Sequence, residues 1–219
     1  MSHTVRIWDL PIRLFHWTLA MAVVGLVATA KVGGGAMVWH FRLGYVVLAL
    51  LLFRLVWGFV GGRWARFSRM VALPRRLACY LRGTTTAQDS AGHSPLGALS
   101  VFAMLGVLIA QVATGLLSDD DIAFSGPLAR FVSRSAVGQA TEYHTEIGQY
   151  AVMGLVALHL AAIAFHVLVR RKTLIRPMFD GNRQLPTDIP PSRDNAASRT
   201  AAGVVFGMCA AFAWWVSQL

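Results

Sequence analysis

Apolar and polar residues fall in long alternating blocks along this chain. Five windows are almost wholly apolar: Leu14–Ala30, Leu43–Val60, Pro95–Leu117, Ile147–Val169 and Ala201–Val216. A helix rises about 1.5 Å per residue, and about 17–25 apolar residues cross a bilayer core about 30 Å thick. The pattern therefore predicts an all-α integral membrane protein. It has a four-helix transmembrane core and, from the shortest window, a fifth transmembrane helix at the C-terminus. The basic and Gly-rich blocks between the windows predict loops. One of them, RFSRMVALPRRLACYL, has the pattern of an amphipathic helix lying on the membrane surface.

The polar blocks are not equivalent. Arg6 and Arg13 precede the first span, Arg63, Arg66, Arg69, Arg75, Arg76 and Arg82 follow the second, and a Lys/Arg-rich stretch from Arg170 to Arg199 follows the fourth. The other connections hold few cations, and one carries the acidic run Asp119, Asp120, Asp121. Positive loops stay inside, so the N-terminus is expected in the cytoplasm and the end of the fifth span outside. Residues 1–180 then make the four-helix domain, 181–199 a cytoplasmic linker and 200–219 the last span. The acidic run reads either as a docking point for a periplasmic partner or as a solvated loop.

Composition agrees with this. Of 219 residues, 56% are hydrophobic and 14% charged, unlike an ordinary soluble domain. The net charge of +10 reports topology, so nucleic acid is not an expected partner and membrane lipid is. Cys79 and Cys209 lie in a basic loop and in the last span, a placement that does not suggest a disulfide. No CxxCH occurs, which argues against covalently attached haem. The first apolar run lacks a small-residue cleavage site and reads as a retained span.

Charged and titratable residues inside spans are expensive and mark function. The stretch YHTEIGQYAVMGLVALHLAAIAFHVLVRR places His144, His159 and His166 along one stripe of a single helix. His144 and His159 are about 22 Å apart along it and within about 60° around it. His16 lies about one turn inside the first span, and His40 at the outer end of the second. His40 and His144 match in depth, and His16 matches a histidine on the fourth span. His3 and His93 read as exposed loop residues. Zinc favours four clustered ligands with Cys or carboxylate among them, and no such cluster appears. Histidine pairs at two depths instead suit two six-coordinate haems, each gripped between two helices. The inner partner on the fourth span has two candidates. Depth favours His166, but it lies about 33 Å from His144, too far for useful tunnelling, and electron transfer favours His159. Arg54, about 21 Å below His40 on its helix, either snorkels to the headgroups or faces a buried anion such as a haem propionate. Arg42 is a second candidate for that role. Gly97, Gly106 and Gly115 allow close approach of a helix or a flat ring to the third span, where Gln111 and Thr114 read as ordinary interhelical hydrogen-bonding residues.

Several stretches carry a resemblance: WDLPIRLFHW, HFRLGYVVLALLLFRLVWGFVG, SPLGALSVFAML, DDDIAFSGPL, and HTEIGQYAVMGLVALHLAAI followed by RPMF. Together they cover about residues 5–180. The chain resembles the bacterial cytochrome b561 family, which includes the cytochrome b subunits of nickel–iron hydrogenases. The resemblance implies a four-helix core with two haem b groups, His16 with His159 at the inner one and His40 with His144 at the outer one. The family tends to place its two fourth-span ligands fourteen residues apart. Here the interval from His144 to His159 is fifteen, which requires a local adjustment of the helix. The implied function is electron transfer between a periplasmic redox partner (a dehydrogenase, hydrogenase or cytochrome c) and the membrane quinone pool, in a bacterial inner membrane. An electron-transfer subunit is favoured over a self-contained oxidoreductase. The alternatives are a quinone-linked superoxide oxidase, with Arg42, Arg130 and Arg134 as a cationic funnel, and a haem-free metal or proton transporter subunit.

Overall fold

The computed structural model describes residues 3–70, 77–80, 82, 84 and 91–219. The protein is all-helical apart from one two-stranded sheet among the described residues, β1 (His3–Arg6) against β2 (Asn182–Leu185). Among the described residues, five helices are long and apolar enough to cross a membrane. They are α1 (Leu10–Val32), α2 (Met37–Val60, entered through a 3-10 turn at Gly34–Ala36), α3 (Pro95–Leu117), α4 (Arg134–Val169) and, after the short α5 (Arg176–Asp180), α6 (Ala196–Ser217). All five expected spans are present. Many of their large apolar side chains face outward, with Val24 and Phe59 among the most exposed, as lipid-facing positions require. Of the expected surface helix RFSRMVALPRRLACYL, residues 71–76 and 81 lie outside the described residues; Phe67–Arg69 is a 3-10 turn and residues 77–80 are helical.

Helix ends differ from the apolar windows for local reasons. The helix α1 begins four residues before the first window. Asp9 caps it by accepting the Ile12 N–H at 3.0 Å, and Pro11 suits its first turn. Similarly, Asn195 accepts the Ser198 N–H at 2.9 Å and starts α6 ahead of its apolar run.

The chain forms two compact units, each drawing on segments of several helices. The first holds Met1–His16, Arg54–Ala103 and Leu158–Val205. Here β1 and β2 pair antiparallel, with Thr4 opposite Gln184 and Val5 opposite Arg183. Beyond the sheet, Ile7 N and Trp8 N donate to Gly181 O, and the Ser192 N–H and hydroxyl donate to Arg6 O and Ile7 O. The Asp194 carboxylate takes Arg6 at 2.6 Å and Arg199 at 2.9 Å. Burial of Asp194 opposes its ionisation, yet the Arg199 and Arg6 guanidiniums and a backbone N–H hold its pKa below the ordinary aspartate value. Thus the 181–199 stretch, expected as a linker, carries a strand and an ion-pair cluster that bind it along the N-terminal segment. Asp9, only 1% exposed, accepts the Trp57 indole N–H at 3.2 Å and the Gly62 N–H at 3.0 Å in addition to its capping bond.

The second unit holds Trp17–Phe53, Met104–Ala157 and Phe206–Leu219. The acidic loop between α3 and α4 belongs to it. Asp120 turns its carboxylate onto its own backbone and accepts N–H groups from Phe124, Ala123 and Ile122, which hold its pKa below the usual aspartate value. The Asp119 N–H donates to Thr141 Oγ1 at 3.1 Å, tying the loop to α4.

Candidate functional site

Each unit contains one histidine pair. In the first, His16 of α1 faces His159 of α4 with ring centres 6.4 Å apart and planes at 55°. In the second, His40 of α2 faces His144 of α4 at 6.1 Å and 87°. All four rings are half-buried. A metal–imidazole bond is about 2.0–2.1 Å, so two imidazoles on opposite sides of one metal have ring centres about 6 Å apart. Both pairs fit that requirement. Among the described residues no group of three or more His, Cys, Asp or Glu side chains converges on a metal position. Two imidazoles alone suit a metal whose remaining coordination positions are filled by its own macrocycle.

Hydrogen bonding fixes the ring nitrogens of the second pair. His40 Nδ1 lies 3.0 Å from Leu26 O and 3.3 Å from Thr29 Oγ1, and His144 Nδ1 lies 2.9 Å from Gln111 O. A carbonyl only accepts, so each Nδ1 carries the proton and each Nε2 keeps its lone pair for a metal. His40 and His144 both line a mostly apolar cavity of about 400 Å³. Its size and lining are those of a buried prosthetic-group site.

The helix α4 departs from α geometry at two places. Tyr143–Gly148 and Phe165–Val169 are π-helical turns. A π turn takes in one more residue than an α turn. The first lies at the start of the fifteen-residue interval between His144 and His159. The second contains His166, whose ring stands beside Phe165 at 5.6 Å and whose carbonyl accepts the Lys172 N–H. The histidine found facing His16 is His159.

The arginines differ from each other. Arg54 is 3% exposed. Its Nη2 donates to Ala65 O at 3.1 Å, its Cζ stands 4.4 Å over the Phe67 ring, and Nη1 has no hydrogen-bond partner among the described residues. It is a buried cation with one donor still to place, in the same unit as His16 and His159. Arg42 is exposed and lies over Trp39 at 4.9 Å. It does not line the cavity at His40; Lys31 does. Two residues of α3, which has no histidine, meet His144. Gln111 Nε2 donates to His144 O at 2.9 Å. A Cβ on Gly115 would stand 2.7 Å from the His144 ring, so this glycine makes room for a ring of the pair. Their polarity and smallness within an apolar span are the only sequence signals for them.

Five apolar helices and facing imidazole pairs together define a multi-pass membrane protein of the b-cytochrome class. The chain belongs to the prokaryotic cytochrome b561 family, whose sequence profile matches residues 7–181. The expected resemblance is thereby borne out, and membership implies haem b as cofactor. Among curated relatives, a protein of Azotobacter vinelandii named as a probable Ni/Fe-hydrogenase B-type cytochrome subunit is 27% identical, covering 85% of this chain and 91% of its own length. A protein of the same name from Bradyrhizobium diazoefficiens is 23% identical over 83% of this chain and 86% of its own. A probable Ni/Fe-hydrogenase 1 B-type cytochrome subunit of Escherichia coli is 25% identical over 52% of this chain and 59% of its own. No solved structure matches the chain.

Proposed function

We propose that this protein is a dihaem electron carrier linking a redox enzyme at the membrane surface to quinone within the bilayer. The observation that carries the reading is the presence of two imidazole pairs at the spacing that one metal between two rings needs. His16 with His159 would hold one haem b, and His40 with His144 the other. Haem b held by two imidazoles has no open iron position and supplies one-electron transfer. The chain's own residues bind and orient the haems, and the apolar walls exclude water. Arg54 Nη1 would take a propionate of the haem at His16 and His159, and Arg42, exposed over Trp39, is the second candidate for a propionate. The names of the relatives suggest a nickel–iron hydrogenase as the partner, and the basic loops suggest a cytoplasmic N-terminus in a bacterial inner membrane.

Pyridine haemochrome analysis and reduced-minus-oxidised spectra of the purified protein test this. Two haem b per chain, reducible by a short-chain quinol, are expected. Absence of haem b, or any other stoichiometry, would overturn the proposal. Gly115→Ala gives a further expectation. Its Cβ would press on the His144 ring, and overpacking of this kind costs about 1–3 kcal/mol, or about 5- to 150-fold in affinity. Haem titration of the apoprotein should show one site weakened by that amount and the other unchanged.

A further inference from the structure

We infer that Gln111 is the positioning residue for His144, holding the π turn on which that histidine sits. The inference rests on the reading that His40 and His144 ligate a haem. It starts from a cost. A π turn has poorer hydrogen-bond geometry than the helix around it and persists where side chains or packing sustain it. The turn at Tyr143–Gly148 therefore needs a support, and α3 provides one.

Gln111 and His144 exchange two hydrogen bonds. Gln111 Nε2 donates to the His144 carbonyl at 2.9 Å, and His144 Nδ1 donates to the Gln111 carbonyl at 2.9 Å. The first anchors the backbone of the π turn. The second sets the ring's rotation and leaves Nε2 unprotonated. Gly148, the last residue of the same turn, leaves room for the glutamine: a Cβ there would lie 1.8 Å from Gln111 Oε1. One turn along α3, Gly115 lies against the ring. The third span, with no ligand of its own, thus seats the His144 backbone and ring together. Gln111 touches no metal position; it acts through His144 by fixing how fifteen residues fit between His144 and His159.

Three variants test this, with each haem's midpoint potential and low-spin EPR signal as readouts. The anisotropy of that signal follows the angle between the two imidazole planes. The haem concerned is identified as the one lost in His144→Ala. Gln111→Leu keeps side-chain bulk and removes the donor. It is expected to retain both haems while shifting the potential and EPR signal of that haem alone. Gly148→Ala, whose Cβ displaces the glutamine, should shift the same haem in the same direction, and it keeps the test open if Gln111→Leu does not fold. Deleting the lipid-facing Ile147 in the Gln111→Leu background lets the turn close as ordinary α-helix, and is expected to restore the wild-type signal. An unchanged potential and EPR signal in a folded Gln111→Leu or Gly148→Ala protein overturns the inference, as does a shift that the Ile147 deletion leaves in place. If His144→Ala keeps two haems, the haem reading itself fails, an outcome distinct from these.

Discussion

His159→Ala is expected to purify with one haem b per chain where the proposed function gives the unaltered protein two. Each centre has two imidazoles and, among the described residues, no third His, Cys, Asp or Glu side chain to take over. Removing His159 leaves His16 without the ring that faces it at 6.4 Å. The remaining histidine would grip a macrocycle from one side only, in a half-buried site open to competing water. On the proposed reading, electron passage between quinol and the partner enzyme should then be lost, because one of its two stations is missing. His40 and His144 belong to the other unit, so the haem proposed to lie there should keep its absorbance and potential. His166→Ala is the matched control. It stands beside Phe165 in the second π turn, so its loss should leave two haems. The haem-to-protein ratio of both variants checks this, and a one-haem His166→Ala beside a two-haem His159→Ala would reverse the assignment.

The choice between His159 and His166 shows how far the sequence could lead. Apolar windows locate spans because a bilayer imposes length and composition on them, and all five helices appear where such windows lie. Histidines inside spans are rare and costly, so the four paired rings could be picked out before any geometry was known. Depth along an ideal helix favoured His166, whereas the ring that faces His16 is His159, because α4 is not an ideal helix. Its π turns leave no periodic trace in the sequence, and the one hint was an interval of fifteen. The tie between residues 3–6 and 182–185 was equally hidden. Its strands are four residues each, too short to show alternation, and their partners are far apart in sequence. The same limit applies to Gln111 and Asp9: each is a single polar residue whose partners are set by tertiary packing.

Asp9 carries the second large expectation. Asp9→Ala should destabilise the protein by about 3–5 kcal/mol, the range for removing one partner from a buried charged network. Three donors converge on this carboxylate: the Ile12 N–H on Oδ1, and the Trp57 indole and Gly62 N–H on Oδ2. Alanine leaves all three without their acceptor in a site that is 1% exposed, and an unsatisfied buried donor costs about 1–3 kcal/mol. It also strips the cap from α1, the helix that bears His16, and removes a negative charge felt by the buried Arg54. Burial raises the pKa of Asp9 above the ordinary aspartate value, against the pull of its hydrogen bonds, so the charge itself is costly there. Asp9→Asn separates the contributions. It removes the penalised charge, but its amide nitrogen must face either one donor or two. The asparagine protein should therefore fall between wild type and alanine. Thermal unfolding in detergent, followed at the haem absorbance assigned to the His16–His159 centre, measures both. An Asp9→Ala protein that melts with the wild type would show that packing alone holds the start of α1 against the end of α2.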